Sequence, residues 1–284
     1  MTEHAIPPEH EYLRPNKKFP TVWCPGCGIG VVLGAIIRAV GRLKLDKNQV
    51  ALVSGIGCSG RMAVYVDFDA LHTTHGRALA FATGLKMVRP EMKVIVVMGD
   101  GDALAIGGNH FIHAARRNID LTAIVINNFI YGMTGGQLSP TTRRGDRATT
   151  ATYGHVEAPL DAARIAEAAG AAFVARSTVY HAVETERLVA QAIEKKGFAL
   201  VEVLSNCHTY YGRLNKQPTP TQMLRWFRDS TIPVGAQKNG GEEKIVRGVL
   251  VDRELPEFTE EYQKLIARAQ GKKTDEPLRA ATGR

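Results

Sequence analysis

The chain has 284 residues, 44% hydrophobic and 23% charged, enough to bury a full α/β core. No apolar run approaches the ~20 residues of a membrane span, and MTEHAIPPEHEYLRPNKKFP at the start lacks the apolar stretch of a signal peptide, so a cytoplasmic location is expected and no membrane association. The net charge of +8 suits acidic partners; scattered basic residues and few aromatics argue against nucleic acid.

Prolines 7, 8, 15 and 20 exclude a regular helix from residues 1–22, which read as an irregular N-terminal arm. Trp23-Cys24-Pro25-Gly26-Cys27-Gly28 forms a tight turn, and Val31, Val32, Ile36, Ile37 and Val40 then recur at helical spacing. Residues 50–53 predict a short strand that closes in a glycine-rich loop, Ser54 to Gly60. His75-Gly76-Arg77 opens a helix carrying Leu79, Ala82, Leu85 and Val88, which must stop before Pro90. Residues 94–98 are an apolar strand running into Gly99-Asp100-Gly101-Asp102. An amphipathic run to Arg117 follows, then a second apolar strand, 121–126, ending in Asn127-Asn128.

The polar segment 137–152 reads as a loop that closes over a site or faces a partner. Residues 160–169 predict a helix, 172–175 a strand, 179–195 a helix and 198–204 the last strand of the set. Strands alternating with helices imply a parallel sheet covered on both faces, with binding groups at the carboxyl ends of its strands. The α/β domain is expected over 23–215. Residues 216–284 form a C-terminal extension that packs on a neighbour, with a helix at 222–229, edge strands at 243–253, a charged helix at 256–270 and a polar tail.

Two constellations carry chemistry. Asp100 ends one strand and Asn128 ends the next, 28 positions later. With the Ile130 carbonyl they make an oxygen-only site for a hard cation, Mg²⁺ or Ca²⁺, and Mg²⁺ usually shares its shell with phosphates. Short glycine turns bring backbone N–H groups close to such phosphates. The second constellation is the four cysteines, Cys24, Cys27, Cys58 and Cys207. In a reducing compartment a C-x-x-C with two remote cysteines points to metal or redox chemistry before disulfides. Four thiolates suit a [4Fe–4S] cluster, and the spacing differs from the paired knuckles of a zinc ribbon, although a Cys₄ zinc site stays open.

GDG followed by NN resembles the thiamine-diphosphate motif. The order WCPGCG, GIGCSG, THGRALAFATGLK, GDGD, NNFIYGMTGGQLSPTT and SNC resembles the β subunits of 2-oxoacid:ferredoxin oxidoreductases over residues 20–215. The resemblance implies the diphosphate-binding fold of the thiamine enzymes. Asp100, Asn128 and Ile130 would hold Mg²⁺, and Gly101, Asp102, Gly132 and Met133 would line the diphosphate. Ile56, Gly57, Cys58, Ser59 and His75 would contact the cofactor, and the four cysteines would bind one [4Fe–4S] cluster. Arg77 is a weaker candidate for phosphate or substrate carboxylate. The implied reaction is CoA-dependent oxidative decarboxylation with electrons passed to ferredoxin.

The activating carboxylate of such enzymes lies on a pyrimidine domain that has no counterpart here, so an α subunit must complete the site, as a heterodimer or dimer of heterodimers. The YGMTGGQLSPTT wording, with Gly135 where some relatives carry lysine, favours 2-oxoglutarate over pyruvate or a broad range of 2-oxoacids. A non-redox thiamine decarboxylase would leave the cysteines unused, and a metal-binding nucleic-acid module would leave GDGD and NN unexplained.

Overall fold

The computed structural model describes residues 8–16, 19–236 and 244–272. Part of the N-terminal arm, the start of the 243–253 segment and most of the polar tail lie outside them. In the arm, residues Pro8–Tyr12 make a 3₁₀ turn, and Leu13 then bridges to Val66.

The chain order is α1 (Ile29–Arg42), β1 (Val50–Ser54), β2 (Asp69–His72), α2 (Ala78–Val88), β3 (Lys93–Gly99), α3 (Gly108–Arg117), β4 (Thr122–Asn127) and the two short strands β5 (Ile130–Tyr131) and β6 (Gln137–Leu138). Then come α4 (Ala162–Ala169), β7 (Phe173–Thr178), α5 (Ala182–Glu194), β8 (Ala199–Leu204), α6 (Pro220–Ser230), β9 (Thr231–Pro233), β10 (Ile245–Asp252) and α7 (Phe258–Ala269). The main sheet is ordered β2-β1-β3-β4-β8-β7-β10-β9. Its first six strands are parallel; β10 runs antiparallel to β7 and parallel to β9.

The apolar strands form where the sequence places them because both of their faces are covered. β1, β4 and β8 are buried at every residue. Successive side chains alternate between two cores. Leu52, Ile95, Ile124 and Val201 point toward α1 and α5, while Val53, Val96, Val125 and Leu200 point toward α2, α3 and α4. Each such aliphatic side chain contributes roughly 1.5–3 kcal/mol by leaving water.

The extension continues this same sheet. β10 lies inside it and short β9 forms the edge, so residues 245–252 are not an edge strand. Two devices pin the region. Asn118 ends α3 in the left-handed conformation (φ 51°), accepts from Phe198 N at 2.8 Å and donates to the Pro256 carbonyl at 2.9 Å. Glu257 caps α7 and also accepts from Asp120 N at 3.0 Å.

The connection from β1 leads outward to β2, whereas β3 leads through α3 to β4 on its other side. Adjacent strands whose exits diverge open a crevice at their carboxyl ends. The 55–60 loop and the Gly99–Asp102 turn border that crevice.

Candidate active site

A cavity of about 410 Å³ opens at this crevice, within the range of small-molecule sites. It gathers Asp100, Gly101 and Asp102 from the end of β3, Ile56, Gly57, Cys58 and Ser59 from the loop after β1, and His75. Asn128, Ile130, Gly132 and Met133, after β4, complete the wall. All the residues expected at the cofactor and cation thus lie on one cavity. Arg77 does not line it; its guanidinium donates to the His75 carbonyl at 2.7 Å and braces that turn. Gly135 sits in the 132–137 loop at φ 114°, a conformation that favours glycine.

The oxygens at the end of β3 and β4 converge. The Asn128 side-chain oxygen faces Asp100 Oδ1 at 3.3 Å and the Ile130 carbonyl oxygen at 2.6 Å. Without a cation the Asn128 amide turned over donates its NH₂ to both of these oxygens; with its own oxygen inward, the three oxygens converge as they would on a cation. Ligands about 2.1 Å from an octahedral Mg²⁺ lie roughly 3 Å apart, so the set fits that ion. The other oxygen of Asp100, Oδ2, accepts from Ser139 Oγ at 2.6 Å and Thr141 Oγ1 at 2.5 Å. Burial pushes the Asp100 carboxyl above its usual range against those donors, and a bound cation would reverse that direction. Ser139 and Thr141 lie inside the GGQLSPTT stretch, but nothing in it marks them as partners of Asp100. They lie 39 and 41 positions from Asp100, and only the fold joins them.

Asp102 is a brace. Its Oδ1 accepts from Gly76 N at 2.7 Å and Ile56 N at 3.4 Å, and pairs with His75 Nδ1 at 2.9 Å. One carboxylate thereby ties two cofactor loops together. Nδ1 being engaged, Nε2 is the His75 nitrogen that can meet a ligand. Burial raises the Asp102 carboxyl, and the backbone N–H of Gly76 opposes that shift.

A second void of about 90 Å³ is lined by Cys24, Cys27, Cys58 and Cys207. Cys58, Asn128, Gly132 and Met133 border both cavities. A Cβ on Gly132 would lie 3.5 Å from Cys207 Sγ and 3.7 Å from Cys58 Sγ, so a single backbone strand separates thiols from cofactor space. All four cysteines are free thiols. Trp23 Nε1 donates to the Cys58 carbonyl at 2.7 Å, and Asn206 Nδ2 to the Gly26 carbonyl at 2.9 Å, which fixes the C-x-x-C turn against the Cys207 segment. Among the described residues no three His, Cys, Asp or Glu side chains close on a single ion's position. The four thiols line the smaller void.

A cofactor-sized crevice at the ends of parallel strands, with convergent oxygens beside a glycine turn, fits a thiamine-diphosphate-binding domain. The family model for the thiamine pyrophosphate enzyme C-terminal TPP binding domain matches residues 55–203. The 2-oxoglutarate synthase subunit KorB of Methanocaldococcus jannaschii is 50% identical over 263 residues, covering 91% of this chain and 97% of that one. The β subunit of the 2-oxoacid:ferredoxin oxidoreductase of Saccharolobus solfataricus is 38% identical over 240 residues, covering 84% and 79%. A 2-oxoglutarate:ferredoxin oxidoreductase from Magnetococcus marinus, solved with 2-oxoglutarate, coenzyme A and succinyl-CoA bound, superposes with a TM-score of 0.83 at 32% identity, over 96% of this chain and 94% of that one. The chain belongs to the β subunits of the 2-oxoacid:ferredoxin oxidoreductases.

Among the described residues no helix is long and apolar enough to cross a membrane.

Proposed function

We propose that the chain is the β subunit of a 2-oxoglutarate:ferredoxin oxidoreductase, forming succinyl-CoA and CO₂ while reducing ferredoxin. The substrate choice rests on the 2-oxoglutarate synthase relatives. The observation that carries the redox reading is the shared border of the two cavities, at Cys58 and Gly132.

Thiamine diphosphate, when bound, supplies the electron sink for decarboxylation, and a [4Fe–4S] cluster supplies a one-electron acceptor. The chain's own residues hold and orient these groups. Asp100, Asn128 and the Ile130 carbonyl would hold Mg²⁺ against the two phosphates, with Gly101 and Gly132 letting backbone come close. His75 would orient the cofactor through Nε2, its ring fixed by Asp102. Ile56 and Met133, half-exposed apolar side chains at the mouth, would exclude water from the reacting carbon. Cys24, Cys27, Cys58 and Cys207 would hold the cluster one loop away.

The described residues build one large sheet. As the β-subunit naming of its relatives implies, an α subunit would supply the pyrimidine-side carboxylate and close the substrate pocket. Anaerobic purification tests the reading. A brown protein with about four iron and four sulfide per chain is expected. A colourless zinc protein overturns it. The chain without its partner should show negligible decarboxylation, and strong activity alone would contradict the shared site.

A further inference from the structure

Behind the cation site lies a buried polar chain that cofactor binding alone does not explain. Arg176, Glu202 and Asn127 sit on neighbouring strands β7, β8 and β4, on the face that carries Val174, Leu200 and Val125. Glu202 is 2% exposed. Its Oε2 accepts from Arg176 Nε at 2.7 Å and its Oε1 from Asn127 Nδ2 at 2.8 Å. Arg176 is anchored in turn by Asp161 at 2.5 Å. An ion pair buried inside a sheet is weak evidence for stability, because apolar side chains of similar volume often do as well. Its use has to be sought in what it orients.

The Glu202 contact decides which way the Asn127 amide points. With Nδ2 on Glu202, Oδ1 accepts from Phe129 N at 3.1 Å and faces the Thr141 hydroxyl at 2.9 Å. Phe129 lies between Asn128 and Ile130, the two oxygen donors from this segment, and has φ 64°, where a non-glycine residue is strained. Its carbonyl accepts from Thr142 Oγ1 at 2.6 Å. The left-handed turn that aims both donors inward therefore depends on Asn127 Oδ1. Thr141 meanwhile donates to the third ligand, Asp100.

We infer that Glu202, locked by Arg176, is a positioning residue for the cation: through Asn127 it sets the Phe129 turn, and with it the Asn128 and Ile130 oxygens. This rests on reading Asp100, Asn128 and Ile130 as the magnesium ligands.

The orientation argument yields a charge-swap test. A Gln at 202 has one oxygen for two donors. The Arg176 guanidinium claims it, the Gln NH₂ then faces the Asn127 NH₂, and the Asn127 amide inverts. Adding Asn127→Asp should repair this. The Gln donates to the new carboxylate, whose second oxygen again accepts from Phe129 N, and the total charge is unchanged.

The complex of this chain with its partner subunit, stripped of metal and cofactor, is titrated with Mn²⁺ in the presence of thiamine diphosphate and followed by EPR. The unaltered complex reports on the site itself: no Mn²⁺ binding there defeats the reading of the ligands. Given binding, Glu202→Gln is expected to weaken it about 10–100-fold. The double variant Asn127→Asp/Glu202→Gln should return to within about threefold of the unaltered complex. Unchanged affinity in Glu202→Gln overturns the inference, as does a double variant no better than the single. If the single variant does not fold, the double variant's affinity decides alone.

Discussion

Gly55 lies directly beneath Asp102: a Cβ on residue 55 would fall 1.8 Å from Asp102 Oδ2, far inside contact distance. The carboxylate that ties the 55–60 loop to the His75 turn can hold its place only because residue 55 has no side chain. Gly55→Ala should displace Asp102 at a cost of about 1–3 kcal/mol, which is roughly 5–150-fold in thiamine diphosphate affinity. Isothermal titration of the metal-loaded complex checks it. Iron content should stay as in the parent, because the clash falls on Asp102 and not on a cysteine.

The buried thiols set a pH dependence with opposite signs in two states. Burial pushes Cys27 up to about 12 and Cys58 up to about 11, from an ordinary 9.0. In cluster-free protein these thiols are neutral when folded and ionise more readily when unfolded. Their contribution to stability is full below about pH 9 and is lost as pH rises through 11 and 12. Ligation needs thiolates, so loading iron releases protons and is weakened by acid. Urea unfolding at about pH 8 and about pH 10 should show cluster-free protein losing stability with alkali while loaded protein holds it. Parallel curves would contradict cysteine ligation.

The surplus of +8 charges has a kinetic consequence. Complementary charge raises encounter rates with an acidic ferredoxin and fades as salt shortens the screening length. Raising ionic strength from about 0.05 to about 0.5 M should slow ferredoxin reduction several-fold while leaving turnover unchanged when a small neutral dye takes the electrons instead. A salt-independent ferredoxin rate would exclude steering by this charge.

The parallel sheet was legible in the chain because strands buried on both faces are written as unbroken apolar runs, as in residues 94–98 and 121–126. β2 escaped because all four of its residues are exposed and Asp69 and His72 carry no apolar signal. The place of β10 escaped too, since strand order is decided by pairing with β7, far away in sequence. At the site, Asp100, Asn128 and the cysteines were singled out by residue type and by position at strand ends, and they line the two neighbouring cavities. Glu202 was not, and Ser139 and Thr141 stood inside the GGQLSPTT stretch without any sign of the carboxylate they meet. Each acts through a contact spanning 39 to 75 positions, and a hydroxyl or a carboxylate in a loop or strand carries no mark of such a partner. The left-handed turn at Phe129 was hidden for the same reason: nothing in NNFIY asks for it without the Asn127 oxygen and the Thr142 hydroxyl beside it.

The central claim is that cofactor and cluster share a wall in this chain, so that decarboxylation and electron delivery are one process. The direct measurement is the stoichiometry of turnover by the anaerobically prepared complex with 2-oxoglutarate, CoA and ferredoxin. About two reduced ferredoxins and one succinyl-CoA per CO₂ are predicted, with Cys207→Ala abolishing ferredoxin reduction. Release of CO₂ without ferredoxin reduction, or a Cys207→Ala complex that still reduces ferredoxin at the parent rate, would contradict it.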